Sequence, residues 1–284
     1  MEFRRFADAS SFLAGVQPWL ERSELENGLM LGIGVRLAAS AEEPLPCPYF
    51  AAVVHDSAPV LAALMTPPHR LIVSGPADVV PEAGALLIDD LREGWLPVPG
   101  VIGVKETASA FAAVWTSATN ENAQITRDER LYALSATEPV SAPPGGMRTA
   151  TPEEAPLLAR WMRALHAESM PDNPPGDPEV SAQRGTEEQR YVVWDHDGPV
   201  AMAASTRPTK SNIGVNAVYT PPEHRNRGYA TALVAGLCDR LLKAGYKRCS
   251  LYADLANPAS NHVYRKIGFR TVCDVAEITF SEGP

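Results

Sequence analysis

The chain has 284 residues, of which 45% are hydrophobic and 21% are charged. These values are typical of a globular protein, and the length suits two domains of about 140 residues each. No apolar run approaches the roughly 18 residues that a membrane-spanning helix needs. The first residues also lack the apolar region and cleavage site of a signal peptide.

The formal net charge of −9 is unevenly distributed, because residues 1–145 hold 9 Lys and Arg against 18 Asp and Glu, whereas residues 146–284 hold 16 of each. No basic tract of the kind that binds nucleic acid occurs. The acidic half is expected to keep the protein soluble, and attraction of a cationic amine is the alternative. The four cysteines have neither C-x-x-C nor zinc-site spacing, so we expect free thiols, no metal and a cytoplasmic location.

In the first half, hydrophobic patterning predicts a series of helices and strands. The helices are expected at Ser10–Glu21 and Glu106–Ser117, and the strands at Leu29–Leu37, Tyr49–His55, Val60–Met65, Arg70–Ser74 and Gln124–Leu134. The segment Pro99–Glu106 joins a loop to a helix and has one reading as a worn phosphate loop. It lacks a phosphate-binding pattern, and Glu106 would repel an anion, so an inactive structural half is the preferred interpretation.

A stretch rich in Pro and Gly, residues 138–146, predicts a linker. The expected organisation is therefore a first domain at residues 1–138, a linker at 139–146 and a second domain at 147–284. A second irregular stretch, Met170–Pro178, predicts a long loop inside the second domain.

The second half shows clearer signals. Thr151, Pro152 and Glu154 form a capping box that opens a helix, and Asp197-Gly198 is the turn of a hairpin. The remaining elements alternate between strand and helix, which predicts an α/β (α+β) fold with a mixed central sheet flanked by helices. The strands are expected at Met147–Thr149, Arg190–Asp195, Val200–Thr206, Asn212–Tyr219, Arg248–Ala253 and Thr271–Phe280, and the later helices at Gly228–Ala244 and Pro258–Lys266.

The junction between the strand that ends at Tyr219 and the helix that begins at Gly228 carries the pattern Arg225-x-x-Gly228-x-Ala230. The first N–H groups of a helix have no partner within the helix, and the helix dipole adds positive charge there. This arrangement is typical of a pyrophosphate site. Arg225 and Arg227 are expected to add positive charge beside the anion.

Further along the chain, Asn257 is followed by Tyr264 and then by Gly268-Phe269. With these two motifs in this order, residues 147–280 resemble the GCN5-related N-acetyltransferase (GNAT) superfamily. The resemblance implies a GNAT fold and, together with the element order of the first half, two tandem GNAT-like lobes of which the first is degenerate. It also implies acetyl-CoA as co-substrate, without a metal.

The resemblance further implies roles for individual residues. Residues 217–219 would pair with the pantetheine arm, and one of their N–H groups would polarise the thioester carbonyl. Residues 226–231 would supply N–H groups to the pyrophosphate, and Asn257 would hydrogen-bond the cofactor arm. The candidate cofactor-binding residues are Ala217, Val218, Tyr219, Arg225, Asn226, Arg227, Gly228, Tyr229, Ala230, Thr231, Asn257 and Tyr264.

Tyr264 is the candidate catalytic residue. A phenol with a pKa of about 10 is protonated at neutral pH and can donate its proton to a departing thiolate. Packing between sheet and helix is the structural alternative for this side chain.

The base that takes the amine's proton is not assigned. Many relatives have a Glu at the place of Tyr252, which cannot act as an ordinary carboxylate base. The other candidates are Asp254, Glu223, His224, Glu187, Glu188 and His166. For each of these, a solvated surface position is the alternative interpretation.

The expected activity is acetyl transfer to a primary amine of a small molecule by direct attack on the thioester. A peptide or protein acceptor and a regulatory protein that binds acetyl-CoA without turnover are the alternatives. We expect no nucleic-acid or membrane partner, and either a monomer or a homodimer.

Overall fold

The computed structural model describes residues 1–40, 47–169 and 176–283. The elements of the first half, in chain order, are β1 (Glu2–Arg5), α1 (Ala9–Leu20), α2 (Gly28–Ala38), β2 (Tyr49–His55), β3 (Ala58–Met65), β4 (Leu71–Ser74), α3 (Val80–Glu93), β5 (Gly100–Val104), α4 (Lys105–Thr119) and β6 (Asn122–Leu134). The elements of the second half are β7 (Gly146–Thr149), α5 (Ala155–Ser169), α6 (Pro178–Glu187), β8 (Tyr191–Asp195), β9 (Pro199–Thr206), β10 (Asn212–Tyr219), α7 (Tyr229–Lys243), β11 (Arg248–Asp254), α8 (Pro258–Ile267) and β12 (Arg270–Ser281).

The described chain divides into two compact units. The first comprises Met1–Leu131, Asp254–Ala256 and the C-terminal residues from Val272, and the second comprises Tyr132–Ala253 and Asn257–Thr271. Residues 135–145 form neither helix nor strand. The assignment of residues 1–138 and 147–284 as domains joined by a linker at 139–146 stays a prediction.

In the first unit, the strand order is β1-β2-β3-β4-β5-β12-β6. The first four strands pair antiparallel, β4 pairs parallel with β5, and the C-terminal strand β12 pairs antiparallel with β5. Two helices follow the first strand, α3 links the parallel pair, and α4 follows β5. A core between α3, α4 and the sheet contains Phe111, and a second core beneath α1 and α2 contains Phe12.

The second unit repeats this order of elements. Strands β7 to β10 pair antiparallel in sequence, and β10 pairs parallel with β11. Helices α5 and α6 follow the first strand, and α7 links the parallel pair. One core lies between the sheet, α7 and α8, and the other lies against α5 and α6. The predicted mixed sheet flanked by helices is therefore confirmed.

The predicted strand at Leu29–Leu37 is wrong, because these residues lie in helix α2. A short apolar run cannot be assigned to strand or helix from periodicity alone. The helix packs closely on α1, where a Cβ atom on Gly34 would lie 3.1 Å from Leu13 Cδ2. Helices α3 and α6 were not predicted.

The alternative of a phosphate loop at Pro99–Glu106 is also wrong, because Gly100–Val104 is a strand that pairs with β4 and β12. The predicted loop Met170–Pro178 lies outside the described residues up to position 175, and α6 begins at Pro178. Among the described helices, none is long and apolar enough to cross a membrane.

Candidate active site

The parallel strands β10 and β11 separate towards their C-terminal ends. Residues 212–214 pair with residues 248–250, and the ladder stops there although both strands continue. On its other side, β10 shifts register against β9 between Asn216 and Tyr219, and Ala217 has φ of 49°. A bulge of this kind bends a strand and leaves a residue unpaired. The backbone groups of residues 217–219 that face the gap are therefore available to a ligand.

The bulge also changes which side chains face which layer. Ile213 and Val215 pack in the core beneath α7, whereas Ala217 and Tyr219 pack on the opposite face, against the core of α5 and α6. Val218 contacts the α7 side. As a result, the three residues predicted to pair with a pantetheine arm lie where the strand bends away from β11.

The start of α7 has the backbone geometry of an anion site. Gly228 is the N-cap residue with φ of 82°, and Asn226 also has a positive φ, 61°. No side chain caps the helix, and its first turn holds no acidic residue. No other part of the described chain lies within 4 Å of a Cβ atom built on Gly228. The first N–H groups of the helix are thus directed at open space, with the positive end of the helix dipole behind them.

The first residues of α7 anchor the helix to the second unit. Tyr229 is 3% exposed, and its hydroxyl lies 2.6 Å from His196 Nδ1 in the β8–β9 hairpin. Ala230 is half-buried and Thr231 is buried. Their side chains therefore fix the helix start, while their backbone N–H groups remain at the end where an anion would bind.

The two arginines of the loop differ. Arg227 is exposed and has no ion-pair or hydrogen-bond partner within the described ranges. Arg225 donates to the Thr220 carbonyl oxygen at 2.9 Å and to Glu168 Oε2 at 2.7 Å. Its guanidinium also lies 5.6 Å from the centroid of the Tyr219 ring. Arg225 thus connects the loop to α5, and its charge is shared with Glu168.

Asn257 caps helix α8. Its side-chain oxygen accepts from the Ser260 backbone N–H at 3.1 Å, and its carbonyl oxygen accepts from Asn261 Nδ2 at 2.7 Å. Caps of this type contribute about 1 kcal/mol to a helix. The hydroxyl of Tyr132, in turn, donates to Asn261 Oδ1 at 2.9 Å. These contacts fix the orientation of α8 and therefore the position of Tyr264.

Tyr264 lies in the core beneath α7 and α8, with 9% of its surface exposed. Its ring meets that of Phe269 edge-on, with 5.9 Å between centroids. Burial raises the pKa of Tyr264 to about 12, and the neighbouring Cys238 thiol adds to the rise. The phenol is therefore protonated throughout the neutral range. Packing and a proton-donating hydroxyl are both compatible with this position.

The site consists of a parallel strand pair that opens at a bulge and an uncapped helix that follows the bulged strand. The sequence of this region matches a known protein family. Residues 158–269 match the acetyltransferase (GNAT) family. The second unit contains a GNAT domain.

Solved structures with the same fold extend over the rest of the chain. A GNAT-family acetyltransferase from Colwellia psychrerythraea is 12% identical, with a TM-score of 0.63, and the alignment covers 99% of this chain and 100% of that one. A tandem GNAT protein from the clavulanic acid biosynthesis pathway is 15% identical, with a TM-score of 0.60 and coverage of 100% and 99%.

A GCN5-related N-acetyltransferase from Sphaerobacter thermophilus is 16% identical, with a TM-score of 0.58 and coverage of 82% and 80%. No curated protein sequence matches the chain. At these identities the structural likeness establishes the fold, and the predicted tandem GNAT architecture is confirmed at that level.

One candidate base, Asp254, lies on β11, as does Tyr252. The Arg207 guanidinium lies 6.0 Å from the centroid of the Tyr252 ring. Leu251 and Ala253 belong to the core beneath α7, so Tyr252 and Asp254 face the opposite side of the strand. Asp254 Oδ1 accepts from the Ala256 backbone N–H at 2.7 Å, which occupies one of its carboxylate oxygens.

The remaining candidates lie in varied surroundings. Glu188 accepts from Arg184 and Arg190, which hold its pKa below the usual range, and Glu187 accepts from Gln183 Nε2 at 2.6 Å. Glu223 is exposed, and His166 is half-buried on α5. His224 Nδ1 is buried without a hydrogen-bond partner in the described chain. None of these contacts singles out one base. No group of His, Cys, Asp and Glu in the described part of the chain could hold a metal ion.

The sequence interpretation missed Glu168. This residue of α5 accepts from the Tyr219 hydroxyl at 3.0 Å through Oε1 and from Arg225 at 2.7 Å through Oε2. It lies 51 residues before Tyr219 in the sequence, so no local motif could connect the two. The carboxylate therefore joins the loop that carries Arg225, the end of β10 and the helix α5.

Proposed function

We propose that the chain is an acetyl-CoA-dependent N-acetyltransferase whose acceptor is the primary amine of a small molecule. The observation that carries the proposal is the opening between β10 and β11, which lies next to the uncapped start of α7 in a domain of the GNAT family. The positive φ values at Asn226 and Gly228 and the open space beside Gly228 fit a pyrophosphate. Acetyl-CoA would supply a thioester, and the described residues would bind and orient it.

Each group would have a distinct task. The N–H groups of residues 226–231 would hold the pyrophosphate, with Arg227 as an exposed counter-charge. A backbone N–H of residues 217–219 would donate to the thioester oxygen as negative charge develops on it. Tyr264 would donate a proton to the sulfur as the C–S bond breaks, because burial keeps its hydroxyl protonated at neutral pH. Asn257 would hydrogen-bond the pantetheine arm from the start of α8.

The test is release of coenzyme A with a panel of amines: tyramine, spermidine, glucosamine, lysine and a short peptide with a free N-terminus. We expect turnover with a small amine and little with the peptide. Turnover confined to the peptide would shift the acceptor class to peptides or proteins. Tight acetyl-CoA binding without turnover for every amine would favour a regulatory binding protein instead.

Tyr264→Phe tests the proton donor. Loss of a general acid lowers kcat by about 10²–10⁴-fold, whereas calorimetric affinity for acetyl-CoA should stay within about twofold, because the ring remains. Tyr246→Phe is the matched control, since Tyr246 packs against the same core just beyond the opposite end of α7. Equal kcat values for the wild type and Tyr264→Phe would rule out the acid role of Tyr264.

A further inference from the structure

The hydroxyl of Tyr219 has a fixed direction of hydrogen bonding. Its partner is Glu168 Oε1 at 3.0 Å, and an ionised carboxylate can only accept. The Tyr219 proton must therefore lie on the bond to Glu168. Arg225 is a donor beside Tyr219 Oη, so one of the two lone pairs remains to accept a hydrogen bond from another group. A tyrosine oriented in this way presents an acceptor to an incoming N–H group.

Glu168 has a second partner besides Tyr219, because Arg225 donates to Glu168 Oε2 at 2.7 Å. In the described residues, Glu168 from α5 and Arg225 from the loop after β10 are the charged groups that face Tyr219. Burial and the bond to Glu168 raise the pKa of Tyr219. Tyr219 therefore rests as a neutral phenol that donates to a carboxylate.

Tyr219 also lies at the right place in the domain. It is the last residue of β10, directly after the bulge at Ala217, and its side chain belongs to the face covered by α5. The proposed oxyanion donor is a backbone N–H of the same three residues. An amine that approaches the thioester from the α5 side would pass close to Tyr219. Glu168, by contrast, has 44% of its side chain exposed and can exchange protons with water.

We propose that Tyr219 takes a proton from the acceptor amine and passes its own proton to Glu168. The inference rests on the proposed acetyltransferase function. Tyr219 is a catalytic residue in this scheme, and Glu168 is the positioning residue that orients Tyr219 and receives the proton. Together they supply the base that Tyr252 cannot.

An N–H bond of the bound ammonium breaks, an O–H bond forms on Tyr219 Oη, and the original Tyr219 proton forms an O–H bond with Glu168 Oε1. The electron pair of the broken N–H bond stays on nitrogen and forms the bond to the thioester carbon. Glu168 then releases the proton to solvent, and the second proton lost by nitrogen replaces the one that Tyr264 gives to sulfur.

Tyr219→Phe tests the relay through the pH dependence of kcat/KM for the amine of the panel with the highest turnover. At pH 7 we expect a loss of about 100-fold, the lower end of the range for a general base. The loss should shrink towards unity as the pH rises to about 11, because most of an alkylamine with a pKa of about 10.4 then arrives already neutral. The calorimetric affinity for acetyl-CoA should stay within about twofold, since the backbone of residue 219 is kept.

Tyr191→Phe is the matched control. Tyr191 packs in the same core, but its hydroxyl contacts only the Met162 sulfur, at 3.1 Å, in the described residues. We expect this variant to follow the wild-type pH profile. If Tyr219→Phe loses the same factor at every pH, or loses nothing, the relay is wrong and the acetyltransferase assignment stands. A wild type that releases coenzyme A with none of the amines overturns the function and the relay together.

Glu168→Gln gives an independent test. Its amide oxygen still accepts from Tyr219 but cannot take up a proton, so the same pH-dependent loss is expected. Glu168→Asp should recover part of the rate at pH 7. Glu179→Gln serves as the control, because Glu179 on α6 forms an ion pair with Arg163 on α5, the helix that also carries Glu168. Wild-type rates in Glu168→Gln at pH 7 would contradict the proposal.

Discussion

Substitution of Gly228 is the most direct test of the proposed phosphate site, and substitution of Gly245 is its control. The two glycines lie at opposite ends of α7, with φ of 82° and 110°, and open space surrounds the Cβ position of both. Alanine at either site would have to adopt an unfavourable backbone conformation, but its methyl group would clash with nothing in the described chain. Left-handed backbone costs an ordinary residue about 1–2 kcal/mol. The two variants should therefore lose similar stability.

Binding should separate the two variants. In Gly228→Ala the new methyl group would fill the space beside the N–H groups that are proposed to bind the pyrophosphate. Loss of one hydrogen bond to a charged group costs about 1.5–3 kcal/mol, which corresponds to roughly 10–150-fold weaker binding. In Gly245→Ala the methyl group lies at the far end of the helix, and acetyl-CoA binding should be unchanged.

Calorimetry with acetyl-CoA measures the affinity, and thermal unfolding measures the stability. Each kcal/mol should lower the Tm by about 2–4 °C for a chain of this size class. If both variants bind acetyl-CoA like the wild type, the phosphates do not lie at the start of α7. If both lose affinity equally, the effect comes from the helix as a whole and not from contact at Gly228.

Two further predictions concern the scaffold of the second unit. Arg148 holds the pKa values of Glu154 and Asp195 below their usual range, so its contribution to stability is present above about pH 5 and disappears as the pH falls through the lowered pKa values. Because Arg148 is partly exposed, Arg148→Met should lower the free energy of unfolding by about 1 kcal/mol at pH 7. A difference in unfolding free energy from the wild type that persists at about pH 3 would contradict this. A Cβ atom on Gly185 would lie 2.3 Å from Tyr191 Cε2, so Gly185→Ala should lower the free energy of unfolding in urea by about 1–3 kcal/mol. Gly176→Ala is the control, because its Cβ atom would lie in open space and stability should be unchanged. Equal stability of the two variants would refute the close packing of α6 on β8.

The elements of the second unit were predictable where the chain carries local signals. The capping box at Thr151 and Glu154 and the Asp197-Gly198 hairpin turn are both found where the pattern indicated them. Such signals act within a few residues of the chain and need no tertiary partner. Helix α3 lacks a side-chain cap. Helix α6 does have a start signal, with Asp177 as N-cap and Pro178 at its first position, but this signal lies within the Pro-rich stretch that was predicted to be a loop.

Tertiary pairing was beyond the reach of the sequence. Strand β12 was predicted at the end of the second half, yet most of its residues belong to the first unit, where they pair with β5. The alternation of apolar residues makes a segment a strand, but it does not select the neighbouring strand. The same limit applies to the site, since the motif around Arg225 gave no indication that its side chain pairs with Glu168 on α5.

The two units share the same order of elements but differ in the charges at the N-terminus of the helix that follows the fourth strand. In each unit a helix follows the fourth strand and connects it to a parallel fifth strand. Helix α7 begins at a glycine with positive φ, without an acidic residue in its first turn. Helix α3 begins at Val79 with a right-handed conformation, next to Asp78, and carries Glu82 in its first turn.

Negative charge at a helix N-terminus stabilises the helix and opposes a second anion there. The loop between β4 and α3 also makes an internal contact, because the Thr107 hydroxyl donates to the Gly75 carbonyl oxygen at 2.7 Å. Residues 1–145 have an excess of acidic residues, and some of these lie at the start of α3, where a phosphate site would have to form. The repeated fold has the backbone geometry of an anion site at the start of α7, and the start of α3 has negative charge that disfavours one.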